Sequence, residues 1–385
     1  MKIIAFFPGA YPNGFSPMSH RLHYYMKALK SKGVEVEIVI PCDKNHPSGV
    51  YEEIPYSFVG ATSRNRFNGI KVANEYSMIF KSLAKKCDAI FTINMGNLFL
   101  KKISKAVHNS GGKLILEINE NPYSILGSRS ETRIGLKIKR FIFLNNTIKH
   151  VDGIIVISKA LLNLVSIHKA AKTEVIQIPI LTGYKEITRH RTYNNKPYIL
   201  HAGALSEQKD GIKAMLKAFA LAYKKLDGNL KLVFTNKIAL PSLLKWIDRF
   251  LRKAELLDAV EFKGILPKED LDELYDNCSL AIVNKPTNAQ NDYNFPTKLT
   301  ELLPRRIPII MSKTGEINRF FQDKVNAFLV EPNNVEQIAD RIIYIIKNHE
   351  EVDRITENGR ILADDNFFYM NHADVLKLFF EKSIN

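Results

Sequence analysis

The chain has 385 residues, 45% of them hydrophobic and 25% charged, with a formal net charge of +15. That length fits two domains with a core each, and no apolar run approaches the ~18–20 residues that span a bilayer. Cys42, Cys87 and Cys278 lie far apart with no metal-like spacing, which suits a reducing cytosol. The charge is lopsided. Residues 1–183 hold 25 Lys and Arg against 12 Asp and Glu, a net +13, whereas residues 184–385 hold 30 against 28, a net +2. A basic half beside a neutral half points to one domain meeting an anionic surface, with nucleic acid and anionic lipid as candidates.

In chain order, Ile3–Phe7 reads as a first buried strand, too quickly broken by Pro8 for a secretory leader. A Gly/Pro/Asn loop runs through Gly14. A helix is predicted over Arg21–Lys32, ending at Gly33, then a strand over Val34–Ile40 closed by Pro41. Ala89–Ile93, Lys113–Ile118 and Gly153–Ile157 are short apolar strands with helical stretches between. Within Glu131–His150, Ile134, Ile138, Phe141 and Ile148 recur at roughly helical spacing, and Phe143 and Leu144 widen the apolar face. Arg133, Lys137 and Arg140 form a basic row beside it. This suits a helix lying on anionic lipid. The same stripe would suit packing on the domain's own sheet, and the basic first half favours lipid.

The polar stretch Thr182–Pro197 reads as a linker. The alternation restarts at Tyr198–Gly203. It continues with a helix over Gly211–Lys225, strands at Leu230–Thr235 and Val260–Lys263, a helix from Lys268 and a strand at Leu280–Asn284. Asn294-Phe295-Pro296-Thr297-Lys298-Leu299-Thr300-Glu301 then reads as a helix start with proline in its first turn, an anion site by its exposed N–H groups and dipole. Glu301, about a turn on, is placed to accept from a sugar diol. Diphosphate plus ribose is a nucleotide, although an ordinary amphipathic helix would fit the same residues. Repeated strand–helix units imply an α/β chain with parallel, doubly wound sheets, whose ligands bind beyond the carboxyl ends of the strands. That places the chemistry on Gly9–Ser19, Gly203–Asp210, Gly264–Leu266 and Asp292–Glu301.

These loops resemble those of the retaining GT-B glycosyltransferases of family 4, which build bacterial surface polysaccharides and glycolipids. The likeness runs through most of the chain. Val151–Ser158 is similar to the strand and serine that close the acceptor domain, and Ala202–Gly211 to the phosphate-lysine loop. Val260–Gly264 with Leu274–Cys278 is similar to the base-binding turn and its helix, Phe295–Glu301 to the nucleotide-sugar helix, and Phe367 onward to the last helix. The resemblance implies two Rossmann-like domains facing across a cleft. They are an acceptor domain over 1–183, a nucleotide-sugar domain over 184–365, and a C-terminal helix within 366–385 returning to the first.

It also implies roles. Lys209 would stabilise the leaving diphosphate, Glu301 would bind the ribose, and Thr297, Lys298 and Leu299 would face the phosphates. Gly264 and Ile265 would contact the base through their backbones, with Gly203 in the lysine loop and Gly14 near the phosphates. Two departures stand out: Ala204 where an arginine is common, and Tyr293, beside Asp292, where a second glutamate is common. Tyr293 points to a donor sugar offering fewer hydroxyls there, N-acetylated or deoxy. Asn119 stands at a usual histidine position with Glu120 the nearest carboxylate. Either would orient the acceptor hydroxyl, and the general base stays open. Front-face departure is implied, the donor phosphate helping to deprotonate the acceptor, with no metal and no cofactor. The expected function is transfer from a UDP- or GDP-sugar to a lipid-linked saccharide by a cytoplasmic protein peripheral on the inner membrane face. The alternatives are an epimerase of the same fold and a non-catalytic glycosyltransferase-like subunit. Nucleic acid is disfavoured, since no basic-aromatic stacking module is present.

Overall fold

The computed structural model describes residues 1–12, 16–42, 46–62, 69–124, 133–187, 196–203, 205–238 and 240–385. They divide into two units, Met1–Leu181 with Tyr369–Asn385, and Thr182–Phe368.

The strands of the first unit are β1 (Lys2–Phe6), β2 (Glu35–Cys42), β3 (Gly49–Tyr51), β4 (Ile54–Gly60), β5 (Ala89–Ile93), β6 (Lys113–Ile118), β7 (Gly153–Val156) and β8 (Glu174–Gln177). They form one sheet in the order β3-β4-β2-β1-β5-β6-β7-β8. Only the edge pair β3–β4 is antiparallel. The helices are α1 (Pro17–Ser31), α2 (Gly69–Leu83), α3 (Asn97–His108), α4 (Arg133–Asn145) and α5 (Lys159–His168). Ile3 through Phe6 and the whole of β5 are buried, because a parallel strand covered on both faces needs an unbroken apolar run rather than alternation. Helix α1 begins four residues before the expected Arg21. Ser16 caps it, its Oγ accepting from Ser19 N at 3.1 Å, and Pro17 takes the first position.

The second unit has β9 (Tyr198–His201), β10 (Lys231–Thr235), β11 (Val260–Gly264), β12 (Leu280–Val283), β13 (Ile309–Ser312) and β14 (Phe328–Val330), all parallel, in the order β11-β10-β9-β12-β13-β14. Its helices are α6 (Glu207–Asp210), α7 (Ile212–Lys225), α8 (Pro241–Lys253), α9 (Lys268–Asn277), α10 (Leu299–Leu302), α11 (Ile317–Phe320), α12 (Val335–Lys347) and α13 (His349–Phe367). The core lies between sheet and helices, with Phe219, Phe234 and Phe328 fully buried. The chain leaves the sheet in opposite directions from the neighbouring strands β9 and β12. The loops after them part and leave a crevice, the usual ligand position in this architecture.

The linker reading of Thr182–Pro197 does not hold for its described start. Thr182 N donates to Phe367 O at 2.8 Å, Thr182 Oγ1 to Thr300 O at 3.1 Å, and Ile187 N to Pro304 O at 3.0 Å. The described start is thus hydrogen-bonded to the second unit and is not free chain. Helix α10 is also shorter than the helix expected from Pro296. It is one turn, Lys298 being its cap, because the N–H groups of Leu299, Thr300 and Glu301 bond three residues back rather than opening an α-helix at the proline.

Beyond α13 the chain enters the first unit again as α14 (Ala373–Ile384). Ala373, Leu376, Phe379 and Phe380 are buried there with Ile3, Phe91, Ile115 and Ile155. Gly153 of β7 admits this helix: a methyl group at 153 would stand 2.7 Å from the Phe379 ring and 2.8 Å from Ile115. Phe380→Ala should therefore cost about 3–5 kcal/mol, as for other large-to-small core changes. The measurement is the urea midpoint by circular dichroism, and an unchanged midpoint would remove α14 from that core.

Candidate functional site

In the second unit the crevice between the loops after β9 and β12 collects charged side chains. Gly203 follows β9 with φ of +117°, a backbone state that favours glycine, and its N donates to Thr235 Oγ1 at 3.1 Å. Lys298, from the far side of the crevice, lies directly against it. A methyl group at 203 would stand 2.6 Å from Lys298 Nζ. Burial lowers the Lys298 ammonium to a pKa of about 8, the Asp210 carboxylate opposing and the Lys285 ammonium reinforcing the shift. Asp210 is itself buried, which works against its charge, but Lys285 at 2.7 Å and Lys298 hold it below the usual carboxylate range. His201, the last residue of β9, is buried. Its Nδ1 bonds Ile282 O at 2.9 Å, and burial with the nearby Lys298 charge pushes its pKa down to about 3. It is a neutral imidazole. The result is two lysines, one ionised aspartate and a neutral histidine at the mouth of a parallel sheet, a setting that favours an anion.

Lys209 sits half-buried on the single turn α6. Ser206 caps the turn, its Oγ accepting from Lys209 N at 3.3 Å, and Gly211 closes it in the left-handed region at φ of +56°. Only glycine serves at 211, because a side chain would overlap the amides of Asn284 and Asn333.

Glu301 on α10 is half-buried and accepts from Tyr275 Oη at 2.7 Å. Burial and the Glu301 charge push the Tyr275 phenol far up, so it stays a donor. Gly264 ends β11 at φ of +74°, and Ile265 beyond it is exposed. Tyr293 lies half-buried in a single 3-10 turn, and Thr297 precedes Lys298 at the crevice. Leu299 does not face the crevice: its side chain is in the core and its N–H donates to Pro296 O at 3.3 Å. Lys298 reaches the anion region by its side chain instead. Gly14 and Ala204 lie outside the described residues.

In the first unit, Asn119 is buried and Glu120 exposed just past β6. Asn94, just past β5 with φ of +47°, donates through Nδ2 to Asn119 Oδ1. Glu117, inside β6, is fully buried and paired with Arg21, while Tyr25 Oη donates to it at 3.0 Å. The Arg21 guanidinium also donates to Pro179 O and, at 2.7 Å, to Ile178 O.

Helix α4 has two faces. Leu136, Phe143 and Leu144 are buried, as is Ile148 beyond it, whereas Ile134 is 72%, Ile138 54%, Phe141 67% and Ile142 43% exposed. The outward stripe is therefore set by Ile134, Ile138, Phe141 and Ile142, and Phe143, Leu144 and Ile148 do not widen it. Lys137 is exposed beside the stripe. Arg140 is not part of a wet basic row: its guanidinium donates to Asn121 Oδ1 and to Pro122 O at 3.3 Å. The side chain of Arg133 lies outside the described residues. No helix among the described residues is long and apolar enough to cross a membrane.

His201, Asp210, Lys285 and Tyr275 were not singled out from sequence. A polar residue at the end of a buried strand was the available signal for His201. Asp210 lay inside the lysine loop without a role of its own, and Lys285 carried no signal, since their pairing spans 75 positions.

Comparison with known proteins fits this geometry. Residues 185–362 match the family described as Glycosyl transferases group 1. An uncharacterized glycosyltransferase of Methanocaldococcus jannaschii is 26% identical over 225 residues, 58% of this chain and 58% of that protein. The chain thus spans just over half the length of that relative. Among solved structures, sucrose-phosphate synthase from Thermosynechococcus elongatus superposes with a TM-score of 0.74 at 16% identity, covering 98% of this chain and 97% of that one. Anabaena HepE, in complex with UDP and glucose, superposes with a TM-score of 0.71 at 16% identity, covering 97% and 98%. The chain has the GT-B fold, two Rossmann-like sheets, and most of its second unit matches the group 1 glycosyl transferase model.

Proposed function

We propose that this protein is a retaining glycosyltransferase moving a sugar from a UDP- or GDP-sugar to a lipid-linked saccharide in cell-surface polysaccharide synthesis. The observation that carries the reading is the Lys298 ammonium against Gly203, opposite the turn bearing Lys209, at the switch point of the second sheet. Breaking a glycosyl–phosphate bond develops negative charge on the departing diphosphate, and fixed cations there lower the barrier. With alanine at 204, Lys298 is the second cation. Glu301, held by Tyr275, takes the ribose diol, and the Gly264–Ile265 backbone takes the base. Tyr293 walls the sugar pocket and favours an N-acetylated or deoxy sugar. The HepE structure with UDP and glucose supports a nucleotide-sugar donor.

In the first unit, Asn119 or Glu120 orients the acceptor hydroxyl. The exposed stripe Ile134, Ile138, Phe141 and Ile142, with Lys137 beside it, suits a helix resting on anionic lipid. The net +13 of residues 1–183 favours the same surface. The protein is then cytoplasmic and peripheral on the inner face of the cell membrane.

A thermal-shift panel of nucleotides and nucleotide-sugars should single out one base and one sugar, since a ligand that binds the folded form stabilises it. With that donor, Lys209→Ala should lower turnover about 10²–10³-fold, read as acceptor-dependent nucleotide release. Interconversion of the nucleotide-sugar without acceptor and without net nucleotide release would point to the epimerase class instead.

Binding should also depend on pH. The Lys298 ammonium is charged below its pKa of about 8 and neutral above it. Nucleoside-diphosphate affinity should fall as pH rises through 8, and Lys298→Arg, always charged, should abolish the fall in a calorimetric titration.

The protein should sediment with vesicles containing phosphatidylglycerol and release as salt rises, because the attraction is screened over ~8–10 Å. Combined Ile138→Ser, Phe141→Ser and Lys137→Ser should weaken that binding without changing the melting temperature. Equal binding to neutral vesicles would argue against the charged dock.

A further inference from the structure

Helix α6 is four residues long, far below the length at which a helix supports itself. Its N-terminal side is capped by Ser206, but its last carbonyls have no partner within the turn. Three asparagines from the segment after β12 supply them one by one. Asn288 Nδ2 donates to Gln208 O at 2.9 Å. Asn291 Nδ2 donates to Lys209 O at 3.4 Å, and to Pro286 O at 2.7 Å. Asn284 Nδ2 donates to Asp210 O at 3.3 Å and Gly211 O at 3.1 Å.

The comb is itself fixed. Asn288 Oδ1 accepts from Gln290 N and Asn291 N, both at 3.0 Å, and Asn284 Oδ1 accepts from Ser312 Oγ at 2.8 Å. Asn284 and Asn291 are buried, where an unmade amide hydrogen bond is costly. The same segment runs on to Tyr293 and Lys298, so one stretch of chain shapes both cation-bearing lips of the crevice.

We infer that Asn288 and Asn291 are positioning residues for Lys209, holding the turn that aims its ammonium at the donor diphosphate. The inference rests on the nucleotide-sugar reading of the second unit. Neither residue touches the ligand in this account, and each acts through the backbone of α6.

The test is calorimetric binding of UDP, GDP and ADP and of their nucleosides to the full chain, wild type and variants. Asn288→Ala and Asn291→Ala should each weaken the preferred diphosphate about tenfold, the size of one lost hydrogen bond, and leave the nucleoside affinity unchanged. In a Lys209→Ala background the same substitutions should have almost no further effect, the non-additivity expected of residues acting as a unit. Asn288→Ser and Asn291→Ser serve where an alanine variant does not fold. Equal losses for nucleoside and diphosphate, or losses additive with Lys209→Ala, would overturn the positioning role alone. Failure of the wild type to bind any of the three diphosphates would overturn the donor reading and this inference together.

Discussion

Lys298 reaches the loop after β9 only because residue 203 has no side chain, and most of the second unit's polar architecture follows from that approach. A half-buried ammonium pressed on backbone is costly unless negative charge lies near. Asp210 meets that need, and Lys285 in turn pairs with Asp210. The cluster carries more positive than negative charge before any ligand arrives. An anion bound in the crevice would relieve that imbalance, so its charge and local stability would favour the same geometry.

The first unit solves a similar problem in the opposite way. Arg21 and Glu117 are both buried, and the guanidinium spends its remaining donors on the carbonyls of Ile178 and Pro179. That closed pair joins α1, β6 and the segment after β8. Such a pair is a poor source of net stability, but losing one partner is expensive because it strands the other charge. It lies at the carboxyl ends of β6 and β8, two residues from Asn119, whose amide meets that of Asn94 at the ends of adjacent strands.

Much of this was legible in sequence wherever one physical rule acts locally. Strands covered on both faces read as apolar runs, so β1, β5 and β9 were found almost to the residue. The start of α1 was missed although Ser16-Pro17 carries a capping signal, because periodicity only became regular at Arg21. The lysine loop and the Glu301 segment were visible as motifs. The direction of side chains was not. Nothing local says that Lys298 crosses to Gly203, that Leu299 turns into the core, or that Arg140 turns in to Asn121. The asparagine comb is equally silent, since each donor and its carbonyl lie 73 to 82 positions apart.

The placement of α14 has a consequence for how the chain is made. The first unit is discontinuous: its core needs residues from before and after the second unit, which is itself one uninterrupted stretch. During synthesis, the usual order in which an N-terminal domain finishes first is reversed. The second unit can complete its sheet while the first still lacks the helix that covers Ile3, Phe91 and Ile155. Until the ribosome releases Phe379 and Phe380, that apolar patch stays open, and a nascent chain is most exposed to misassembly in its first unit.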